Sequence, residues 1–290
     1  MKIHSGNLLP TRPFKKVLCP AIIFALTALL LFAAFDFRLI VRSYAINAED
    51  ISSEIRIVLV TDLHSCRYGE GQRDLIEAVH RLSPDLVLLG GDIFDDDLPN
   101  TNTELFLAGT ANKYPCYYVT GNHEYWSGAD KFATQMSILQ KYGIPILSEE
   151  CKTISVNGEM INLCGVDDPE AFAQKADPRS AFAARLENVS AASDNGHYTI
   201  LLSHRPEYFD VYSECGFDLV LCGHAHGGQW RLPWLLNGVF APDQGLFPEY
   251  AGGQYAQADT TMIVSRGLAQ ESTRIPRIFN RPELVLIEIK

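Results

Sequence analysis

The chain has 290 residues, a net charge of −11, 47% hydrophobic residues and 20% charged ones. That is an ordinary globular composition with room for one large domain or two small ones. The acidic balance argues against nucleic acid held on a broad basic surface, but it leaves a phosphate substrate open, because bound metal ions invert the local field.

Residues 17–35 are uncharged and mostly apolar. That is about the length needed to cross a bilayer, and few soluble helices are apolar on all sides over such a length. Lys2, Arg12, Lys15 and Lys16 precede the run; Arg38 and Arg42 follow it. The bias predicts a cytoplasmic segment over 1–16, a single-pass anchor in the cell membrane over 17–35, and the remainder outside the cytoplasm. A cleaved signal peptide is the rival, although the small-x-small run Ser43-Tyr44-Ala45 lies far from the apolar stretch. Residues 36–54 read as a linker, and the body occupies 55–290.

Residues 55–61 form a β-rich run that ends at Asp62-Leu63-His64. Leu75, Ile76, Val79 and Leu82 recur at helical spacing over 72–82, Pro84 stops that helix, and His80 falls off the stripe onto the surface. A second apolar strand over 86–89 ends at Gly90-Gly91-Asp92. A helix near 103–112 leads to a third strand over 117–120, which ends at Gly121-Asn122-His123-Glu124. Three strand-then-helix units in order predict a parallel α/β sheet. Further on come a helix near 130–142, a hairpin of strands 153–156 and 160–166 turning at Asn157-Gly158, and a helix near 176–190. A strand over 199–203 ends at His204, and a strand over 219–222 ends at Gly223-His224-Ala225-His226. Strands over 261–265 and 284–289 close the chain. Residues 230–255, rich in glycine, proline and aromatics, read as a long loop beside the site.

Cysteines stand at 19, 66, 116, 151, 164, 215 and 222. No Cys-x-x-Cys pair occurs and the count is odd, which argues against a zinc ribbon, a thioredoxin-like motif or a disulfide framework. Cys164 and Cys222 fall at strand positions and read as buried apolar residues.

Five apolar strands thus end in groups able to bind metal: Asp62 with His64, Asp92, Asn122 with His123, His204, and His224 with His226. Any one of these is a common cap or turn residue. Five strand ends together are hard to obtain by chance, and parallel strands place their carboxyl ends along one edge. Oxygen and imidazole donors without thiolate suit manganese, iron or zinc. The set is too large for one ion and suits two, about 3.5–4 Å apart, bridged by a carboxylate.

Asp-x-His, Gly-Asp, Gly-Asn-His-Glu, a lone His and Gly-His-x-His, in that order, resemble the calcineurin-like metallophosphoesterase superfamily over residues 55–290. The close of the chain, Gly227-Gly228-Gln229 and Ser265-Arg266-Gly267-Leu268, resembles its membrane-associated bacterial members, some of which act on phosphodiesters or lipid-linked pyrophosphates. The resemblance implies an α/β fold, a two-sheet β-sandwich flanked by helices. It implies two divalent ions, the first held by Asp62, His64 and His226, the second by Asn122, His204 and His224, with Asp92 bridging both. It also implies that His123 is catalytic, steadying the leaving group without binding metal. The implied activity is metal-dependent hydrolysis of a phosphodiester, pyrophosphate or phosphomonoester, lipid-linked substrates included, by in-line attack of a water or hydroxide held between the ions. Two positions depart from the pattern: Glu124 stands where many members have Asp, and Ser65-Cys66-Arg67-Tyr68 replaces a common glycine-rich stretch. The rival readings are a protein serine/threonine phosphatase and a catalytically inactive metal-binding membrane protein.

Overall fold

The computed structural model describes residues 14–270 and 275–290, with side chains from Pro20 onward. Helix α1 (Phe14–Ala34) and strand β1 (Ile40–Ile46) precede three strand-then-helix steps: β2 (Ile55–Val60), α2 (Arg73–Leu82), β3 (Leu86–Gly90), α3 (Thr101–Thr110), β4 (Cys116–Val119) and α4 (Asn122–Trp126). Then come α5 (Ala129–Lys141), β5 (Glu150–Val156), β6 (Glu159–Gly165), α6 (Pro178–Ala192), β7 (Tyr198–Leu202), α7 (Phe209–Glu214) and β8 (Leu219–Cys222). A short ribbon of β9 (Phe240–Ala241) and β10 (Gly245–Leu246) leads to β11 (Gly253–Gln257), β12 (Thr260–Val264) and β13 (Glu283–Ile289).

The larger strands form two mixed sheets, ordered β1-β13-β2-β3-β4 and β11-β12-β8-β7-β6-β5. In the first, β2, β3 and β4 run parallel and β13 inserts antiparallel to β2. In the second, β6, β7, β8 and β12 run parallel, and the edges β5 and β11 are antiparallel.

Period-two alternation sorts each strand's side chains between the layers. Ile57, Leu59, Leu88 and Val285 of the first sheet pack on Leu163, Ile200, Leu202 and Leu221 of the second. Val58, Val60, Val87 and Leu89 point the other way, onto Leu75, Val79, Phe106 and Leu139 of α2, α3 and α5. Leu201, Val220 and Met262 meet Phe182, Leu186 and Phe209 of α6 and α7. Strands buried on both faces read as continuous apolar runs, which is why these are visible in the sequence. The hairpin turn is also as expected: Asn157 and Gly158 both adopt positive φ (52° and 88°), as the two-residue turn that matches strand twist requires.

Four expectations need correction. Residues 36–54 are not a plain linker, because β1 pairs in parallel with β13 along its whole length. Its half-exposed edge position leaves only a weak apolar signal. Among the described residues no helix is long and apolar enough to cross a membrane, so the span over 17–35 is not borne out. The helix ends where the buried Ala34 accepts a hydrogen bond from the Phe279 backbone. The expected cytoplasmic segment, with Lys2, Arg12, Lys15 and Lys16, lies outside the described side chains. Cys164 is not a free buried thiol: it sits opposite Cys151 in the β5–β6 ladder and is disulfide-bonded to it. Finally, the loop over 230–255 contains the β9–β10 ribbon and the start of β11.

Candidate metal centre

The parallel strands deliver their carboxyl ends to one edge of the sandwich. There the two sheets are tied together by the site residues themselves. The His224 backbone N–H, past β8, donates to Asp62 Oδ1, past β2, at 2.9 Å. His204 Nδ1–H, past β7, donates to the Gly90 carbonyl of β3 at 2.8 Å.

The turns that carry these groups are tightly folded. Asp62, His64, Asp92, His224 and His226 all have positive φ, between 46° and 64°, a region costly for residues with a Cβ and one that clusters at functional sites. Glycine makes the close approach possible at two points. A Cβ on Gly121 would lie 2.2 Å from Asp92 Oδ1, and one on Gly223 would lie 2.6 Å from Asp62 Oδ2.

All seven expected ligands are buried. Ligand atoms of Asp62, His64 and His226 lie within 4.8 Å of one another, as do those of Asp92, His204 and His224. Asp92 Oδ2 lies between the two sets, 3.6 Å from His64 Nε2 and 3.2 Å from His204 Nε2. Asn122 is the first residue of α4, buried beside Gly121, whose backbone abuts Asp92.

The donor set fits metal by a test internal to the structure. Asp62 Oδ2, His64 Nε2, Asn122 Oδ1, His224 Nδ1 and His226 Nδ1 are each buried with no hydrogen-bond partner among the described residues, and Asp92 Oδ2 and His204 Nε2, equally buried, face each other at 3.2 Å. Unpartnered atoms converging at one edge would be costly unless a cation satisfied them. The remaining bonds of three histidines select which nitrogen is offered. His64 Nδ1–H donates to Asp95 Oδ2 (3.1 Å), which leaves Nε2 free, and His204 does the same through Gly90. In His224 the roles reverse, with Nε2–H donated to Asp243 Oδ2 (3.0 Å) and Nδ1 left free. Such outer partners set tautomer and ring orientation in metal sites.

The electrostatics point the same way. Burial opposes ionisation of Asp92, but the neighbouring His204, His123 and His64 hold its pKa well below the usual carboxylate range. Burial lowers the His204 pKa, yet the Asp92 carboxylate outweighs it and lifts the group to about 10. The field that keeps a proton on this imidazole is a field that attracts a cation, and a metal ion would compete with that proton. Burial holds His226 well below its ordinary value, in the neutral form that ligates metal.

His123 is placed differently. Its side chain is 22% exposed, and its backbone N–H donates to Asp92 Oδ1 at 2.9 Å. Its Nδ1 lies 2.6 Å from Asp96 Oδ1, and its ring meets that of His64 edge-on at 4.3 Å. Asp95 and His64 also stand close enough to His123 to form a further metal-binding group. The backbone here is helical, not extended, because Asn122 opens α4.

Several supporting residues escape sequence reasoning. Asp95 and Asp96 lie in an acidic run that looks like an ordinary solvated loop. Arg205, next to His204, forks onto Asp168 through Nε (2.7 Å) and Nη2 (3.0 Å) and bonds Asp243 through Nη1. Asp243 reaches His224 from the long loop. Only Glu124 carried a signal, as the residue that departs from the common pattern. Its carboxylate accepts backbone N–H bonds from Gly121 (2.8 Å), Asp92 (3.1 Å) and Phe94 (3.0 Å). It thereby fastens the turn after β3 to the start of α4. Burial and the Asp92 charge raise its pKa to about 7.

Comparison with known proteins agrees with this geometry. Residues 55–228 match the model of the calcineurin-like phosphoesterase family. An uncharacterized metallophosphoesterase of Helicobacter pylori (strain J99) is 33% identical over 78% of this chain, and the chain spans 58% of that relative's length. Phosphodiesterase YaeI of Escherichia coli is 29% identical over 83% of this chain and 84% of its own. The crystal structure of TT1561 of Thermus thermophilus is similar in fold alone, with a TM-score of 0.50 at 13% identity, over 75% of this chain and 92% of that one. With the motif order, the converged donors and the matched family model in agreement, the chain belongs to the calcineurin-like phosphoesterase family.

Proposed function

We propose that this chain is a dimetal phosphoesterase, a hydrolase acting on phosphodiesters in preference to monoesters, and that it works at a membrane outside the cytoplasm. The observation that carries the dimetal reading is the position of Asp92 Oδ2, within 3.6 Å of His64 Nε2 in one ligand set and 3.2 Å of His204 Nε2 in the other. Asp62, His64 and His226 would hold one ion, Asn122, His204 and His224 the second, and Asp92 both. The oxygen and imidazole donors suit manganese, iron or zinc. When bound, two such ions neutralise phosphoryl oxygens and lower the pKa of water towards neutrality.

The chain's own residues supply the rest. His123, partly exposed beside Asp92, is positioned to pass a proton to the leaving oxygen. Asp96 engages its Nδ1, which leaves Nε2 for the substrate. Preference for phosphodiesters draws on the resemblance to the Escherichia coli phosphodiesterase.

Membrane association draws on the exposed apolar side chains of α1, among them Ile22, Ile23, Phe24, Leu26 and Leu29 to Phe32. A location outside the cytoplasm draws on the Cys151–Cys164 disulfide, a bond that persists in oxidising compartments. Protease added to spheroplasts should digest the domain; digestion only after lysis reverses the topology.

Elemental analysis of the chain supplied with excess manganese, iron or zinc should find two ions, accompanied by turnover of bis(p-nitrophenyl) phosphate. A single ion with every ligand intact, or no turnover with two ions bound, overturns the proposal.

A further inference from the structure

We propose that the turn over residues 232–236, together with the β9–β10 ribbon beside it, is a lipid-contact surface that seats the metal-bearing edge of the domain against a bilayer. The segment is uncharged from Leu232 to Pro242. Trp234 is fully exposed and Leu235 is 82% exposed, and Leu232, Phe240, Leu246 and Phe247 are also exposed. Soluble surfaces rarely cluster large apolar side chains this way without a partner.

The backbone of the turn is prepared for a medium of low polarity. Leu232 N–H donates to the Leu236 carbonyl (3.1 Å), while Leu235 and Leu236 N–H donate to the Leu232 carbonyl (3.0 and 2.8 Å). A tip that closes three of its N–H groups in this way strands fewer polar groups on leaving water than an open loop would. The cation at its base, Arg231, is turned inward, with Nε on the Asn237 carbonyl (2.8 Å) and Nη2 on Asn237 Oδ1 (3.1 Å). Trp230 donates its indole N–H to the Pro276 carbonyl at 3.0 Å. An aromatic and leucine tip above satisfied polar groups has the chemistry of a membrane interface.

Two connections favour lipid over a protein partner. The Arg231 backbone N–H bonds Ile278, and the next residue, Phe279, bonds the end of α1 at Ala34. The base of the patch is thereby linked through the backbone to the end of the one helix whose described side chains expose a run of leucine, isoleucine and phenylalanine. At its base Val239 N–H donates to the Gly228 carbonyl (3.0 Å), two residues past His226. The ribbon also carries Asp243, which accepts from His224.

The inference leans on the membrane association proposed above, and its test reads the surroundings of one side chain, not turnover. The full chain is mixed with phosphatidylcholine–phosphatidylglycerol vesicles whose acyl chains are brominated or plain. Emission of the wild type is compared with that of Trp234→Phe, a change at a fully exposed position. Brominated lipid should extinguish most of the emission that the substitution removes, and that component should shift to the blue on vesicle binding. Three results overturn the proposal: a Trp234 component insensitive to bromine in vesicle-bound protein, no association with vesicles, or shielding of Trp234 that follows protein concentration without lipid, which indicates a second copy. A chain that fails this test yet binds two ions and turns over a phosphodiester leaves the phosphoesterase assignment standing.

Discussion

Oδ1 of Asp96 lies 2.6 Å from Nδ1 of His123, so the one partly exposed histidine of the centre is oriented by a carboxylate from the turn after β3. Replacing His123 with Asn should leave metal content nearly unchanged and lower kcat by roughly 10²–10⁴, the range for a lost general acid. Asp96→Asn should cost less, roughly 10–100-fold, as outer partners usually do. The double variant should be no slower than His123→Asn alone, because the two act as a unit. Both losses should shrink with nitrophenolate as leaving group, which needs little protonation. If His123→Asn releases an ion, His123 is a ligand with Asp95, and the acid role fails.

Asp92→Ala should harm activity and metal content more than Asn122→Ala. The Asp92 carboxylate faces both ligand sets, whereas Asn122 offers one neutral oxygen. Elemental analysis and kcat on the two purified variants check this, and equal residual values would remove the bridging assignment.

Glu124→Gln should lower the melting temperature with the metal ligands intact. The carboxylate accepts three backbone N–H groups in a fully buried site. An amide turns one end into a donor that faces other donors, which costs about 1–3 kcal/mol for a buried group left unsatisfied. Thermal unfolding of the variant, followed by circular dichroism, reads the effect; an unchanged midpoint would mean that the turn is held by other contacts.

Cys151 and Cys164, separated by 13 residues, should map as a linked pair in protein digested without reductant. The double variant Cys151→Ala/Cys164→Ala should lose about 2–4 kcal/mol in urea unfolding, the usual contribution of such a loop closure. A loss within error would assign the stability of this hairpin to its ladder and the Asn157-Gly158 turn.

Much of the fold was legible because its central strands are buried on both faces. Continuous apolar runs such as Val58 to Val60 and Leu86 to Leu89 announce themselves without a partner, and Asn157-Gly158 announces its turn. Strand β1 did not: an edge strand with one face in solvent mixes Arg42 and Ser43 with Val41 and Tyr44, and its identity depends on β13 lying beside it. The Cys151–Cys164 pair follows from the hairpin turn: a two-residue loop at Asn157-Gly158 fixes the β5–β6 register that sets the two residues opposite each other, once the strands are extended back to residue 151.

The sequence by itself determined the set of candidate donors. Asp62, His64, Asp92, Asn122, His204, His224 and His226 are legible one by one, because each lies just past an apolar run, and their order carries the family. What only the tertiary structure decided is which nitrogen each histidine offers. Ring orientation depends on partners far along the chain: Asp95 for His64, Gly90 for His204 and Asp243 for His224. Hydrogen bonds act over about 3 Å, and the two sheets bring within that reach groups 162 positions apart, as with Asp62 and His224. Local sequence encodes the strand and the donor at its end; packing of one sheet on the other encodes the distance between donors.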